Sequence, residues 1–484
     1  MKSQINRHRA ARKRIMRHGH PAPGTHMYSG DTIAAISTPA GRGGIGVVRI
    51  SGPASLEIVS RIFHPESHAP LDTPNRAQLG RVVDAATGEQ VDEAILTYFK
   101  APRSYTGEDV IELSCHGSPV ILSRVLEMVT GGGARIAEPG EFTFRAFFNK
   151  RIDLAQAQAV RDCINAQTEY QARVATKQLG GALSKRLTPI KDALVEIITH
   201  LESSVEFVEE DITPEAVSAL AAKVERLIES LNGIARSFAF GRYVKEGFDL
   251  AIVGRPNVGK SSVFNRLVGS DRAIVTALPG TTRDALYETA SISGVPVRLI
   301  DTAGIRETSD VVETIGIERS RTAIADADIS LLVLDASEPL TDDDIKLLND
   351  VPEERRIIVF NKTDLLGRLK PGFLEPNEQT EVLSISALTG DGFDELTGRI
   401  FQRLAGDSAA ERDDIMITDA RQHAAVRSAV EQMRAAHRLM SEGELEEVIL
   451  LKLGGALAAL GEITGETLTD DILGRIFSTF CVGK

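Results

Sequence analysis

The sequence predicts a multidomain chain that mixes α+β and α/β architecture, and three observations carry that prediction. Short β-like runs alternate with Gly/Pro turns over residues 28–148. The apolar period then becomes helical over 149–244 and returns as helical over 407–484. Between them, residues 245–406 alternate strand-like runs, glycine loops and helical stretches, as an α/β domain does. The simplest packing joins the two helical parts into one discontinuous domain with the α/β domain inserted, because the ends of a compact domain are often close together. Two separate helical domains are the alternative. At 484 residues the length fits about three domains.

In the first region, Ile45 to Ile50, Ala94 to Phe99 and Val110 to Leu113 read as strands, and Val120 to Val129 as a helix. In the second, Leu187, Ile190, Leu194, Ile197 and Leu201 recur at three and four residues. Thr188 reads as the N-cap of that helix and Pro189 as its first position. In the last part Ile449, Leu453, Ala456 and Leu460 fall on one helical face. There is no internal repeat.

The insert carries the chemistry. Phe248 to Val253 reads as a strand, Gly254 to Ser261 is GRPNVGKS, and Ser262 to Leu267 reads as a helix start. A G-x-x-x-x-G-K-[ST] loop in that context cradles phosphates with backbone N–H groups, brings Lys260 to the β and γ phosphates and sets the Ser261 hydroxyl on Mg²⁺. Downstream, Arg298 to Ile300 leads into DTAG, Asp301 to Gly304, where Asp301 can hold the metal through water and Gly304 can offer its N–H to a γ-phosphate. Arg356 to Phe360 then leads into Asn361-Lys362-Thr363-Asp364. A carboxylate at Asp364 can accept from the N1–H and the exocyclic amine of guanine, a donor pair adenine lacks. Ser386-Ala387-Leu388, after Val382 to Ile385, supplies the backbone contact to the guanine oxygen. Four motifs in this order and spacing predict a Ras-like P-loop G domain that binds GTP.

The position after DTAG, which in Ras-like GTPases holds a water-orienting glutamine, is Ile305 here. Ile305 can neither donate nor accept, so another group must position the water; Glu307, Asp310 and Glu313 are the nearby acids, whose more ordinary reading is a surface charge run. Asn257, inside the phosphate loop, either ligates a monovalent cation or makes a local Asx-type turn. A K⁺ there would supply the charge that an arginine finger supplies elsewhere. Of Thr281-Thr282, one should ligate Mg²⁺ once the loop orders.

Composition limits the partners. The formal net charge of −13 argues against coating nucleic acid through a global basic surface, so RNA contact needs a local patch or a partner protein. Cys115, Cys163 and Cys481 form no C-x-x-C pair and no disulfide framework, which fits a reducing compartment. No apolar run approaches the roughly 18 residues of a membrane span. Residues 1–27 form a basic extension whose first 26 residues hold no acid. They read as a disordered stretch ahead of a true start at Met27, or as a transit peptide. A cytoplasmic location follows from the first reading and a mitochondrial one from the second. Cys481, beside the apolar stretch Ile476 to Phe480, is either a nucleophile or, more ordinarily, a packed small side chain.

With these residues in place, the chain resembles the MnmE (TrmE) family of tRNA-modification GTPases from Asp31 to Lys484. The resemblance rests on DTIAAISTPAGRGGIGVVRISG (Asp31 to Gly52), TGEDVIELSCHG (Thr106 to Gly117), PGEFTFRAFFNKRIDLAQAQAV (Pro139 to Val160) and the terminal CVGK (Cys481 to Lys484). It implies an N-terminal domain that binds a tetrahydrofolate, as the 5-formyl or methylene form, and dimerises. It also implies a discontinuous helical domain and a G domain. The implied partners are a second copy of the chain, the FAD protein MnmG in a heterotetramer, and tRNA. The implied reaction installs an aminomethyl or carboxymethylaminomethyl group at carbon five of the wobble uridine, with the folate as one-carbon donor.

The resemblance also assigns residues. K⁺ falls on Asn257, Thr276, Leu278 and Thr281, Mg²⁺ on Ser261 and Thr282, and the water-orienting glutamate on Glu313. GTP falls on Asn257, Val258, Gly259, Lys260, Ser261 and Ser262, and on Thr276, Ala277, Leu278, Pro279, Gly280, Thr281 and Thr282. It continues on Asp301, Thr302, Ala303 and Gly304, on Asn361, Lys362, Thr363 and Asp364, and on Ser386, Ala387 and Leu388. Folate falls on Arg49, Glu112, Arg151 and Lys484, where bases can pair glutamyl carboxylates and Glu112 can accept from pterin amines. Without the resemblance Arg49 and Glu112 read as surface residues, and Arg151 stands where many relatives have Lys. Two other functions compete: a GTP-dependent ribosome or RNA assembly switch, and a one-carbon transferase with a merely regulatory G domain. A switch of the first kind usually adds a second G domain or a KH module, and neither is legible here.

Overall fold

A computed structural model describes residues 30–68, 70–206, 214–270, 287–301, 327–365, 382–406 and 416–484. The chain divides into two compact units, Met1–Ala157 with Thr464–Lys484, and Gln158–Ile463.

The first unit is built on a seven-stranded sheet. Its strands are β1 (Ile33–Ile36), β2 (Gly43–Ser51), β3 (Phe63–Pro65), β4 (Ala77–Val83), β5 (Gln90–Phe99), β6 (Val110–Gly117) and β7 (Arg135–Ile136), in spatial order 3-4-5-6-2-1-7. All neighbours are antiparallel except β1 and β7. Strict alternation of buried and exposed residues in β4, and near alternation in β5 and β6, puts one face of the sheet in the core. Leu96, Ile111 and Leu113 form that face, and the helix Pro119–Gly131 covers it with Leu122, Val125 and Val129. A satellite cluster of Phe144, Leu154, Leu473, Phe477 and Phe480 brings the C-terminal helix Asp470–Phe477 into this unit. The tail that carries CVGK therefore ends beside β1 and β2.

A buried ion network stiffens the same unit. Arg145, with 0% of its side chain exposed, bonds Asp31 at 2.6 Å, Glu141 at 3.0 Å and Glu108 at 3.2 Å. Arg135 bridges the same Asp31 at 2.8 Å and Glu141 at 2.6 Å. Pairing of each charge is what allows such burial, since an unpaired ion there would cost several kcal/mol.

The second unit contains helices around an inserted sheet. The helix Ala420–Glu442 buries Ala425, Val426, Ala429, Val430, Met433 and Ala436 and packs on the helix Pro214–Arg236. The helix expected to start at Thr188 starts instead at Ala182 and runs to Glu206 with Pro189 inside it. Its apolar stripe already begins at Leu183, so burial of Leu183 and Leu187 outweighs the one hydrogen bond that Pro189 removes. Thr188 does not cap; its hydroxyl donates to Ser184 O within the helix at 2.9 Å.

The inserted sheet contains β8 (Phe248–Val253), β9 (Tyr287–Ile292), β10 (Val295–Asp301), β11 (Ile329–Asp335), β12 (Arg356–Asn361) and β13 (Val382–Ser384), in order 13-12-11-8-10-9. All pairs are parallel except β9 with β10. Every residue of β11 and nearly all of β8 and β12 are buried, as a parallel sheet covered on both faces requires. From β8 the chain passes to one side of the sheet through β9 and β10 and to the other through β11. The carboxyl end of β8 is thus the switch point where α/β sheets bind ligands. Among the described residues no helix is long and apolar enough to cross a membrane.

Candidate functional site: a phosphate loop and a C-terminal tail

In the second unit the loop after β8 enters the helix Lys260–Ser270, whose N-terminal N–H groups form a ready anion site. Asn257 sits at the exposed tip of the loop with φ +66, and Val258 is buried beneath it. Gly259, at φ +96, lies so close to Asn361 that an added Cβ would meet Asn361 Nδ2 at 2.3 Å. That approach lets Asn361 Nδ2 donate to Val258 O at 2.9 Å. The Lys260 ammonium donates to Gly254 O at 3.0 Å and Arg255 O at 2.9 Å, bridging the loop it must serve. Ser261 and Ser262 are exposed at the helix start.

The base-reading motifs meet the same loop. The Ala387 N–H donates to Asn361 Oδ1 at 2.9 Å, so Asn361 ties the phosphate loop to the Ser386–Leu388 turn. The buried Ser386 hydroxyl donates to Asp364 Oδ1 at 2.6 Å and orients that exposed carboxylate, while the Thr363 N–H donates to Ile385 O at 3.2 Å. Lys362, at φ +67, pairs with Asp335 Oδ2 at 2.7 Å. Burial works against ionisation of Asp335, but hydrogen bonds from Lys362 and Ser337 outweigh it and hold the carboxyl below its ordinary pKa. The Asp335–Lys362 pair was not legible in the sequence, because it depends on Asp335 facing Asn361 across β11 and β12.

The structure thus brings together Asn257, Val258, Gly259, Lys260, Asn361, Lys362, Thr363, Asp364, Ser386 and Ala387, with Leu388 at the exposed rim. Asp301 ends β10, beside β8. Thr276, Ala277, Leu278, Pro279, Gly280, Thr281, Thr282, Thr302, Ala303, Gly304 and Glu313 lie outside the described residues, as do Ile305, Glu307 and Asp310.

In the first unit three of the residues assigned to folate converge. Arg49 on β2 and Glu112 on β6 are register partners, and the guanidinium contacts Glu112 Oε1 at 2.8 and 2.9 Å. With 14% and 27% of their side chains exposed, they are not the solvated surface residues that sequence reasoning alone suggests. The Arg49 guanidinium also lies 5.3 Å from the Tyr105 ring and 5.7 Å from Phe142, and donates to Gly483 O at 3.3 Å. The Ser37 hydroxyl donates to the same carbonyl at 3.0 Å. Gly483 has φ +92, and a Cβ there would meet Ile36 O at 2.6 Å, so only glycine lets the tail pass this close to β1. Burial pushes the Lys484 ammonium below its ordinary pKa, Arg49 adds to the shift and Glu112 opposes it. Arg151 is exposed, and its Nε donates at 3.2 Å to the carbonyl of Ser104, the residue before Tyr105. Cys481 is exposed, which contradicts the packed reading of its thiol: the phenylalanines beside it fill the cluster without it. Ser37, Tyr105 and Gly483 escaped sequence reasoning, since their only link to Arg49 is through space.

The donor sets fit the ligands they would take. Two cations beside one carboxylate and two rings suit a flat polar heterocycle with an anionic tail. Hydroxyl and amide oxygens at a helix N-terminus suit phosphate-bound Mg²⁺ and a monovalent cation.

Comparison with known proteins covers nearly all of the chain. Residues 32–151 match the family model of the GTP-binding protein TrmE N-terminus, and residues 154–481 match that of the MnmE helical domain. The tRNA modification GTPase MnmE of Koribacter versatilis is 47% identical over 455 residues, 94% of this chain and 99% of that protein. This chain belongs to the MnmE family of tRNA modification GTPases. Its counterparts in Aquifex aeolicus and Geobacter sulfurreducens, of the same name, are each 44% identical, with 94% and 95% of this chain and 100% of each relative covered. The α+β N-terminal region, the helical region and the inserted P-loop fold are those the resemblance implied.

Proposed function

We propose that the protein is a potassium-activated, dimerisation-dependent GTPase. With the FAD protein MnmG it adds a carboxymethylaminomethyl or aminomethyl group to carbon five of the wobble uridine of certain tRNAs. The carrying observation is the near-full-length identity to proteins named tRNA modification GTPase MnmE. Domain boundaries at 28–148, 149–244, 245–406 and 407–484 belong to the same reading, with 1–27 as a basic extension and a cytoplasmic location.

In this reading Asp364, held by Ser386, accepts from guanine, and Lys260 neutralises the β and γ phosphates. Ser261 and Thr282 hold Mg²⁺, which supplies positive charge to the phosphate oxygens. Asn257, Thr276, Leu278 and Thr281 hold K⁺, which supplies the charge of an arginine finger. Glu313 orients the attacking water in place of the absent glutamine. In the first unit Arg49, Lys484 and Arg151 pair the acidic tail of a tetrahydrofolate, and Glu112 accepts from its amines. The bound folate supplies the one-carbon unit.

The test is mass spectrometry of tRNA hydrolysates from a strain lacking the gene. Loss of the modified wobble uridine, restored by this chain, is expected; unchanged wobble uridines would favour a ribosome-assembly switch instead. GTP turnover should rise steeply when K⁺ replaces Na⁺, and equal rates in the two salts would remove the cation from the account. Glu313→Ala should keep GTP affinity and lose hydrolysis, and retained hydrolysis would move the water-orienting role elsewhere.

A further inference from the structure

We propose that Arg266 is a positioning residue for guanine specificity: it fixes the Ser386–Thr389 turn so that the Leu388 N–H faces the base. The inference rests on the guanine-nucleotide reading above and adds a residue to it. Arg266 lies on the helix that begins at Lys260, so the same rigid element presents the phosphate-binding end and this guanidinium. Its Nη1 donates to Ala387 O and Leu388 O, both at 3.1 Å, and its Nη2 donates to Thr389 O at 2.8 Å. One planar fork thus holds three successive carbonyls, a use to which lysine's single ammonium is poorly suited.

In a trans peptide the C=O and the following N–H point in opposite directions. Holding the Ala387 carbonyl therefore aims the Leu388 N–H away from Arg266. The neighbouring N–H groups are occupied: Ala387 donates to Asn361 Oδ1 at 2.9 Å, Thr389 to Ser386 Oγ at 3.1 Å and Gly390 to Ser386 O at 2.8 Å. The Leu388 N–H has no acceptor among the described residues and sits on a residue that is 79% exposed. It is the donor left over for a carbonyl acceptor such as the guanine 6-oxygen, beside the Asp364 carboxylate that Ser386 orients. Two features keep the guanidinium in place. It lies 5.7 Å over the Phe393 ring, and Gly390, at φ +96, leaves room for it where a Cβ would come within 2.1 Å of Nη2.

The experiment compares the affinity of the full chain for GDP and for 6-thioguanosine diphosphate, which keeps the N1–H and the amine that Asp364 reads but replaces the 6-oxygen with sulfur, a much weaker acceptor. Wild type, Arg266→Ala, Arg266→Lys and Gly390→Ala are measured. Arg266→Ala should lower the preference for GDP by about tenfold, the worth of one hydrogen bond, while binding of the analogue holds. Arg266→Lys should keep part of the preference, and Gly390→Ala should reproduce the alanine variant by displacing the guanidinium without removing it. Binding of the analogue also reports that each variant is folded. An unchanged preference, or an equal loss for both nucleotides, would overturn the proposal. A wild type that binds ADP as tightly as GDP would overturn the guanine reading beneath it, and that result is visible before any variant is made.

Discussion

The groups proposed to bind nucleotide in the second unit come from short contiguous motifs at the ends of neighbouring parallel strands, whereas those proposed to bind folate in the first unit come from remote parts of the chain. In the first case the Asn361 side chain ties Val258 and Ala387 together, donating to the first and accepting from the second, and each of the three sits in or beside a loop set by its own residues. In the second, Arg49, Glu112 and Gly483 meet only because β2 pairs with β6 and the last helix returns to the first unit. Contacts over sequence separations of 434 and 446 residues hold the tail in place. A site made of local loops tolerates change elsewhere in the chain. A site closed by a tail depends on the whole unit that returns it.

The largest way to break the comparison is at Asp364. Asp364→Asn replaces an acceptor with a donor opposite the guanine amines and loses two charge-assisted bonds. GTP affinity should fall on the order of 10²- to 10⁴-fold in equilibrium titration, with folate affinity untouched. Loss of both would show that the two sites are energetically one. Next is Arg49→Ala, which removes a charged donor from the tail site. Tetrahydrofolate affinity should fall about 10- to 100-fold while GTP turnover holds, and an unaltered folate titration would take Arg49 out of the site.

A smaller effect is expected at Gly483. Alanine there carries a left-handed backbone penalty of about 1–2 kcal/mol and a clash with Ile36 O, so folate affinity should drop about 5- to 30-fold. Ser37→Ala, which removes one bond to the same carbonyl, should do less.

The smallest effect concerns protons. The folded pKa of Lys484 is depressed, so its charged form costs stability below that pKa, and the cost disappears as pH rises through the depressed value towards the ordinary one. A carboxylate bound beside Lys484 reverses the shift, so folate binding should take up a proton at pH values between the depressed pKa and the ordinary one. Calorimetry in buffers of different ionisation enthalpy reads this directly, and a buffer-independent heat would exclude it.

Legibility in the sequence follows the same division. The phosphate loop, Asp364 and the Ser386 turn could be read because glycine loops and base-reading side chains work through local geometry. Strand β8 was visible as the apolar run Phe248 to Val253, and Arg356 to Phe360 as the approach to Asn361, whereas β11, which no motif follows, was not read. The Asp335–Lys362 pair and the Arg266 fork were not, since each depends on strand register or on a helix meeting a loop more than 100 residues away. Arg49 and Glu112 looked like surface charges until the family resemblance joined them, and no periodicity could have placed Gly483 between them and β1. Thr188-Pro189 misled for a different reason: the pair has the chemistry of a helix start, and tertiary burial of Leu183 and Leu187 overrode it.

In the proposed function two separately built sites serve one tRNA modification. Wobble-uridine mass spectrometry on cells carrying only Asp364→Asn or only Arg49→Ala tests it most directly. Each variant alone should abolish the modified nucleoside, although purified Arg49→Ala still turns over GTP. Normal levels of the modified uridine with Arg49→Ala would contradict it.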